Sequence, residues 1–140
     1  MLQNQDRRFK LGMHSYTLHL SGFGESWGFQ EYGEHHAFEQ VKTFEDLVDI
    51  AVEVGLDVLH ITLVDIQNDI SAEHLAACRR YAEEHGIELE LNVSFHAPSD
   101  PRVHSTIEDS LNIAHSLGCK LVKYRTYVKH TEKTYHYCMC

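Results

Sequence analysis

At 140 residues with 43% apolar side chains, the chain is long enough for one domain with a hydrophobic core. A formal charge of −9 speaks against nucleic acid or an anionic membrane surface as partner, because either needs a basic face. Met1 to Lys10 is polar and no apolar run is long enough to span a bilayer, so no membrane association and a cytoplasmic location are expected.

Phe9 to Thr17 alternates, with Leu11 and Met13 on one side and Gly12, His14 and Tyr16 on the other, and is expected to be the first strand. From Leu18 to Lys42 no period is sustained, but glycine and aromatic residues cluster there, including Trp27, the sole tryptophan. A long structureless connection in a compact domain is usually a binding loop or lid, so Trp27 is a candidate ligand contact. Its competing role is to pack the loop onto the end of the domain.

Thr43 followed by Asp46 is a capping-box start for a helix carrying Leu47, Ile50, Ala51 and Val54 on one stripe. Gly55 stops that helix, and Val58 to Val64 follows as a strand in which Leu59, Ile61 and Leu63 alternate with His60 and Thr62. The pattern recurs twice. Ser71 opens a helix with Leu75, Cys78 and Ala82, Gly86 ends it, and Ile87 to Phe95 is a strand with Leu89, Leu91, Val93 and Phe95 on one side. Arg102 to Leu117 carries Val103, Ile107, Leu111 and Ala114, Gly118 ends it, and Lys120 to Arg125 begins another strand. Strand starts recur at roughly thirty residues, the length of a strand, a crossover helix and two loops, which argues for parallel, right-handed β/α units.

The four cysteines do not form a disulfide framework. Cys78 and Cys119 fall where a small buried hydrophobe belongs, and Cys138 and Cys140 lack common zinc spacing.

Each strand has a polar second side: Gly12, His14 and Tyr16; His60 and Thr62; Glu88, Glu90, Asn92 and Ser94, leading to His96; Lys123 and Arg125. An open sheet covered by helices on both faces would be apolar on both sides. A barrel wall turns one side to helices and the other inward, so a polar inner side points to a cavity with a polar ligand. The candidate substrate-binding residues are His14, Tyr16, Trp27, His60, Asn92, His96 and Arg125. Neutral donors and acceptors with one cation suit a polyhydroxylated ligand, sugar or sugar phosphate. With twelve histidines in the chain, any single one is more often a hydrogen-bonded or exposed residue than a ligand contact. Glu88 and Glu90 lie nearer the strand start than Asn92 and are expected in a lower layer. His14, His60 and His96 come from three successive strands, but no local spacing supports a metal site, and none is expected within these residues.

The segments FKLGMHSYTLHL, TFEDLVDIAVEVGLDVLHITL, YAEEHGIELELNVSF and SLNIAHSLGCKLVKYR together resemble the amino-terminal half of the xylose isomerase-like TIM-barrel superfamily, over roughly Phe9 to Arg125. The resemblance implies an α/β fold of parallel (β/α) units, about four strands of an incomplete half-barrel, with residues 1–125 as the partial barrel domain and 126–140 as a divergent tail. Residues 1–118 carry 7 basic and 20 acidic side chains and 119–140 carry 5 and 1, a shift that fits such a tail. The resemblance also implies sugar or sugar phosphate isomerisation or epimerisation assisted by a divalent metal. The superfamily's usual metal ligands come mostly from the second half of its barrel, and no residue here matches them. A complete barrel needs eight strands and typically ~250 residues. The chain is therefore expected to supply the substrate-recognition half of an isomerase or epimerase and to lack full activity alone. The alternative is a non-catalytic half-barrel that binds a small polar ligand, or forms homo-oligomers through open sheet edges.

Overall fold

A computed structural model describes residues 9–27, 36–67, 69–94, 107–130 and 133–138. Its main sheet contains β1 (Gly12–His14), β4 (Val58–Ile61), β5 (Glu88–Ser94), β6 (Val122–His130) and β7 (Lys133–Cys138), in the spatial order β1-β4-β5-β6-β7. The first four run parallel, and β7 returns antiparallel to β6. A separate antiparallel hairpin joins β2 (Phe23–Trp27) to β3 (His36–Gln40). The helices are α1 (Phe44–Val54), α2 (Ala72–Glu84) and α3 (Ile107–Ser116). This is an α/β fold of four parallel strands with crossover helices, a partial TIM-barrel half. No described helix is long and apolar enough to cross a membrane.

Local chemistry sets the helix ends. The Asp46 amide donates to Thr43 Oγ1 at 3.3 Å while the Thr43 amide donates to Asp46 Oδ2 at 2.8 Å, closing the reciprocal box that starts α1. At its end Gly55 adopts φ 81°, which lets the Leu56 amide reach back to the Ala51 carbonyl at 2.8 Å. Ser71 caps α2 through its hydroxyl, which accepts from the His74 amide.

One apolar face of the parallel sheet takes all three helices. Leu59, Ile61, Leu89, Leu91 and Val93 from the strands share a core with Leu47, Val48 and Ala51 of α1, Leu75, Cys78 and Ala82 of α2, and Ile113 and Ala114 of α3. Burying each large aliphatic side chain stabilises the fold by roughly 1.5–3 kcal/mol. Phe23 and Ile66 close one end of this core and are almost wholly buried. Helices confined to one face leave the other face to polar residues, the arrangement of a barrel wall.

The elements depart from sequence expectation in four places. The first strand stops at His14, because His14 Nδ1 accepts from the Tyr16 amide and Thr17 Oγ1 donates to the His14 carbonyl, diverting Ser15–Ser21 into a 3-10 helix. The stretch after Leu18, expected to be structureless, holds the β2–β3 hairpin; the charged Glu25 between Phe23 and Trp27 interrupts the apolar alternation that would have revealed it. The strand expected to reach Val64 ends at Ile61, where the Thr62 amide and hydroxyl both turn onto Asp65 Oδ2. β6 passes through Arg125 and continues to His130, with β7 paired to it from Arg125↔Cys138 to His130↔Lys133. The helix expected from Arg102 is described from Ile107 onward, and residues 102–106 lie outside the described residues.

Candidate functional site

Register fixes which residues share a level on the polar face. His14 pairs with His60, and His60 with Glu90, forming one row across β1, β4 and β5. Asn92 pairs with Lys123 and Ser94 with Arg125, two rows further toward the carboxyl ends of the strands. The intervening partners Met13, Leu59, Leu89 and Leu91 turn to the helices. Gly12 lets β1 approach β4 closely, since a Cβ there would sit 3.2 Å from Val58 Cβ.

His14 and Asn92 meet across 78 residues of sequence, with His14 Nε2 and the Asn92 amide 3.0 Å apart. The Tyr16 backbone N–H can only donate, so His14 Nδ1 is an acceptor and the neutral ring carries its proton on Nε2. That proton needs an acceptor, which the Asn92 amide supplies through its oxygen. The amide NH2 then takes the outer position, which is buried and which no donor faces among the described residues. Asn92 itself is 8% exposed.

His60 stacks at a tilt on His14, ring centroids 4.7 Å apart and planes at 43°. Its Nε2 is a second buried atom without a partner among the described residues. Burial pushes the His60 imidazole below its ordinary pKa; the Glu90 carboxylate opposes that shift and the Lys123 ammonium adds to it. His60 is therefore a neutral imidazole beside a half-buried carboxylate, a pair able to accept and hand on a proton.

A buried clamp holds the row from behind. Asp65 Oδ2 accepts from Ser15 Oγ at 2.6 Å, from the Thr62 amide at 2.6 Å and from Thr62 Oγ1 at 3.0 Å. It thereby joins the turn after His14 to the turn after His60. Burial raises the Asp65 carboxyl above the usual range, against the three hydrogen bonds that favour its charge.

Of the residues proposed from sequence, His14, His60 and Asn92 come together. Tyr16 leaves the strand but stays close, its exposed ring edge-on to His14 at 6.3 Å between centroids. Trp27 is the last residue of β2, paired with His36, and Arg125 lies in β6 opposite Ser94; the side chains of both lie outside the described residues, as does His96 entirely. Glu90 lies one row below Asn92, as expected, and shares that row with His14 and His60. Counting from the strand starts would have found it, since Glu90 and His60 each stand two residues into their strands. Ser15 and Asp65 gave no such signal, because only the fold brings them together.

The divalent metal implied by the sequence resemblance does not fit this face as described. Among the described residues, no three His, Cys, Asp or Glu side chains converge on a point that could hold an ion.

No family profile matches the sequence, and no curated protein sequence matches it. Solved structures do match in shape. One is the crystal structure of D-psicose 3-epimerase in the presence of D-fructose, with a TM-score of 0.52 over 83% of this chain at 18% identity. The chain spans 37% of the length of that epimerase chain. At this identity the likeness is one of fold. The architecture is a partial α/β barrel similar in fold to part of that epimerase chain.

Proposed function

We propose that the polar face of this half-barrel binds a polyhydroxylated sugar and forms the substrate-recognition half of a sugar isomerase or epimerase-like protein acting in the cytoplasm. The observation that carries the reading is the pair of buried atoms without a partner among the described residues, His60 Nε2 and the outer atom of the Asn92 amide, on the face turned away from the helices. A buried polar atom without a partner costs about 1–3 kcal/mol, and adjacent sugar hydroxyls would supply both missing partners. The Glu90 carboxylate, in register with His60, would accept from hydroxyls and can move a proton.

The test is calorimetric titration of the purified chain with D-fructose, alongside an epimerisation assay by chiral chromatography. Saturable binding that His60→Ala and Asn92→Ala each weaken about tenfold, with unchanged circular dichroism, supports the reading. Absence of binding by any ketose, or binding by both variants as tight as by the parent chain, overturns it.

A second reading has its own observation: β1 pairs only with β4 among the described residues, leaving one sheet edge open. Two copies joined through that edge would make a non-catalytic binding module. Sugar binding without turnover, by a species of twice the monomer mass in light scattering, favours it.

A further inference from the structure

His14 commits both ring nitrogens to the protein. Nδ1 accepts from the Tyr16 amide at 3.0 Å and so caps the 3-10 helix Ser15–Ser21, while Nε2 stands 3.0 Å from the Asn92 amide. A proton acts differently on the two bonds. The neutral ring can gain a proton only at Nδ1, where the new N–H would point at the Tyr16 N–H, whereas Nε2 donates in either charge state. Protonation therefore breaks the cap and keeps the tie to Asn92. The ring is half-buried, so a solvent proton can reach it. Ahead of the capped turn, β1 is held by β4 and Ser15 is held by Asp65 at 2.6 Å. Behind it, Tyr16 and Thr17 are exposed. The 3-10 helix starts where β1 ends and touches β4 and β2, which puts it at the rim of the polar face. The titratable and charged groups around the ring are His60 on β4, at 4.7 Å between centroids, Asp65 through Ser15, Glu90 on β5, Lys123 on β6 and Tyr16 of its own segment.

We propose that His14 is a proton-operated latch on this rim: the neutral ring docks the turn that begins at Tyr16, and the protonated ring releases that turn while Ser15 and Asn92 stay in place. Release carries the Tyr16 ring, which lies edge-on to His14 at 6.3 Å between centroids, away from the polar face. The consequence is a rim that loosens as pH falls. The latch rests on the bonding of His14 and not on the identity of the ligand, so a face that binds no sugar leaves it standing.

The experiment follows the full, isotopically labelled chain by NMR from about pH 8 to about pH 5, the range over which an imidazole changes charge. While His14 is neutral, a scalar coupling across the hydrogen bond is expected between the Tyr16 amide nitrogen and Nδ1, together with an NOE between the two rings. Both are expected to vanish at the midpoint of the His14 ring shifts and not at that of His60. Protection of the Tyr16 amide against exchange is expected to fall there by about fivefold, the worth of a side-chain cap. His14→Asn supplies a capping oxygen that does not titrate, so Tyr16 protection in that variant is expected to stay level across the range. A coupling that survives protonation of the ring overturns the latch, as does a ring that stays neutral throughout. Loss of the NOEs between His14 and Asn92 at the same midpoint overturns the one-sided release. Tyr16 protection that still falls at the parent's midpoint in His14→Asn assigns the effect to another group and overturns it too. The coupling and the ring shifts are read in the parent chain, so they decide the matter even where the variant does not fold.

Discussion

Ser15 Oγ donates to Asp65 Oδ2 at 2.6 Å, so a hydroxyl just after β1 and a carboxylate in the turn after β4 hold two strand ends together from 50 residues apart. The carboxylate also collects both Thr62 donors, and burial raises its pKa. A buried acid with a raised folded pKa binds more protons folded than unfolded between the two values. Its contribution to stability therefore falls as pH rises from 3.8 through the folded pKa. Asp65→Asn keeps an acceptor for the three donors and removes the buried charge. It should melt no lower than the parent at pH 7 and lose this part of the pH dependence. Asp65→Ala leaves the donors unpaired and should cost about 2–3 kcal/mol in urea denaturation.

His60 titrates in the opposite sense. Its imidazole is held below the ordinary value of 6.5 by burial, so the unfolded chain binds the proton more readily. Stability conferred by neutral His60 is present above that value and is lost as pH falls through it toward the folded pKa. An NMR titration of the ring should give a midpoint under 6.5. Glu90→Gln should lower it further and Lys123→Gln should raise it. A midpoint that ignores both substitutions would separate His60 electrostatically from these neighbours.

Gly22 is expected to tolerate no side chain. Its φ is 93°, and a Cβ there would lie 2.8 Å from Val41 Cγ2, while its carbonyl accepts from the amides of both Val41 and Lys42. Gly22→Ala should cost about 1–3 kcal/mol, combining backbone strain with the clash, and lower the melting temperature by several degrees. An unchanged melting temperature would mean that the turn before β2 relaxes freely.

Cys78 and Cys119 should be chemically silent in the folded state. Burial pushes the Cys78 thiol up to about 11 and the Cys119 thiol up to about 12. Thiolate, the reactive form, is then scarce at pH 8. Alkylation with iodoacetamide followed by peptide mass mapping should leave both unlabelled in native protein and label both in urea. Native labelling of Cys78 within minutes would contradict the packing of α2 against the sheet.

How much of this was legible beforehand depends on the range of the interaction. Thr43, Asp46 and Gly55 announce α1 because capping is decided within a few residues, and the alternation of Leu89, Leu91 and Val93 announces a strand covered on one face. The polar companions His14, His60 and Asn92 follow from the same alternation. The end of β1 was hidden because a bond from the Tyr16 amide to a neighbouring imidazole outweighs strand propensity. The β2–β3 hairpin was hidden because its alternation is short and interrupted by the charge of Glu25 between Phe23 and Trp27. Glu90 lies below Asn92 as expected; that His14 and His60 share its row is set by the register of β1, β4 and β5.

The reach of β6 has a mechanical consequence. β5 supports it from Leu91↔Val122 to Ser94↔Arg125, while β7 pairs with the span from Arg125 to His130, so past Arg125 the recorded pairing continues as a two-stranded ribbon. Such a ribbon is marginal by itself in water. Amide protons there should exchange first, and those of Leu59, Ile61, Leu89 and Leu91, enclosed by helices, should exchange last. Denaturation would then begin at the carboxyl-terminal ribbon and reach the histidine row only when the helices let go.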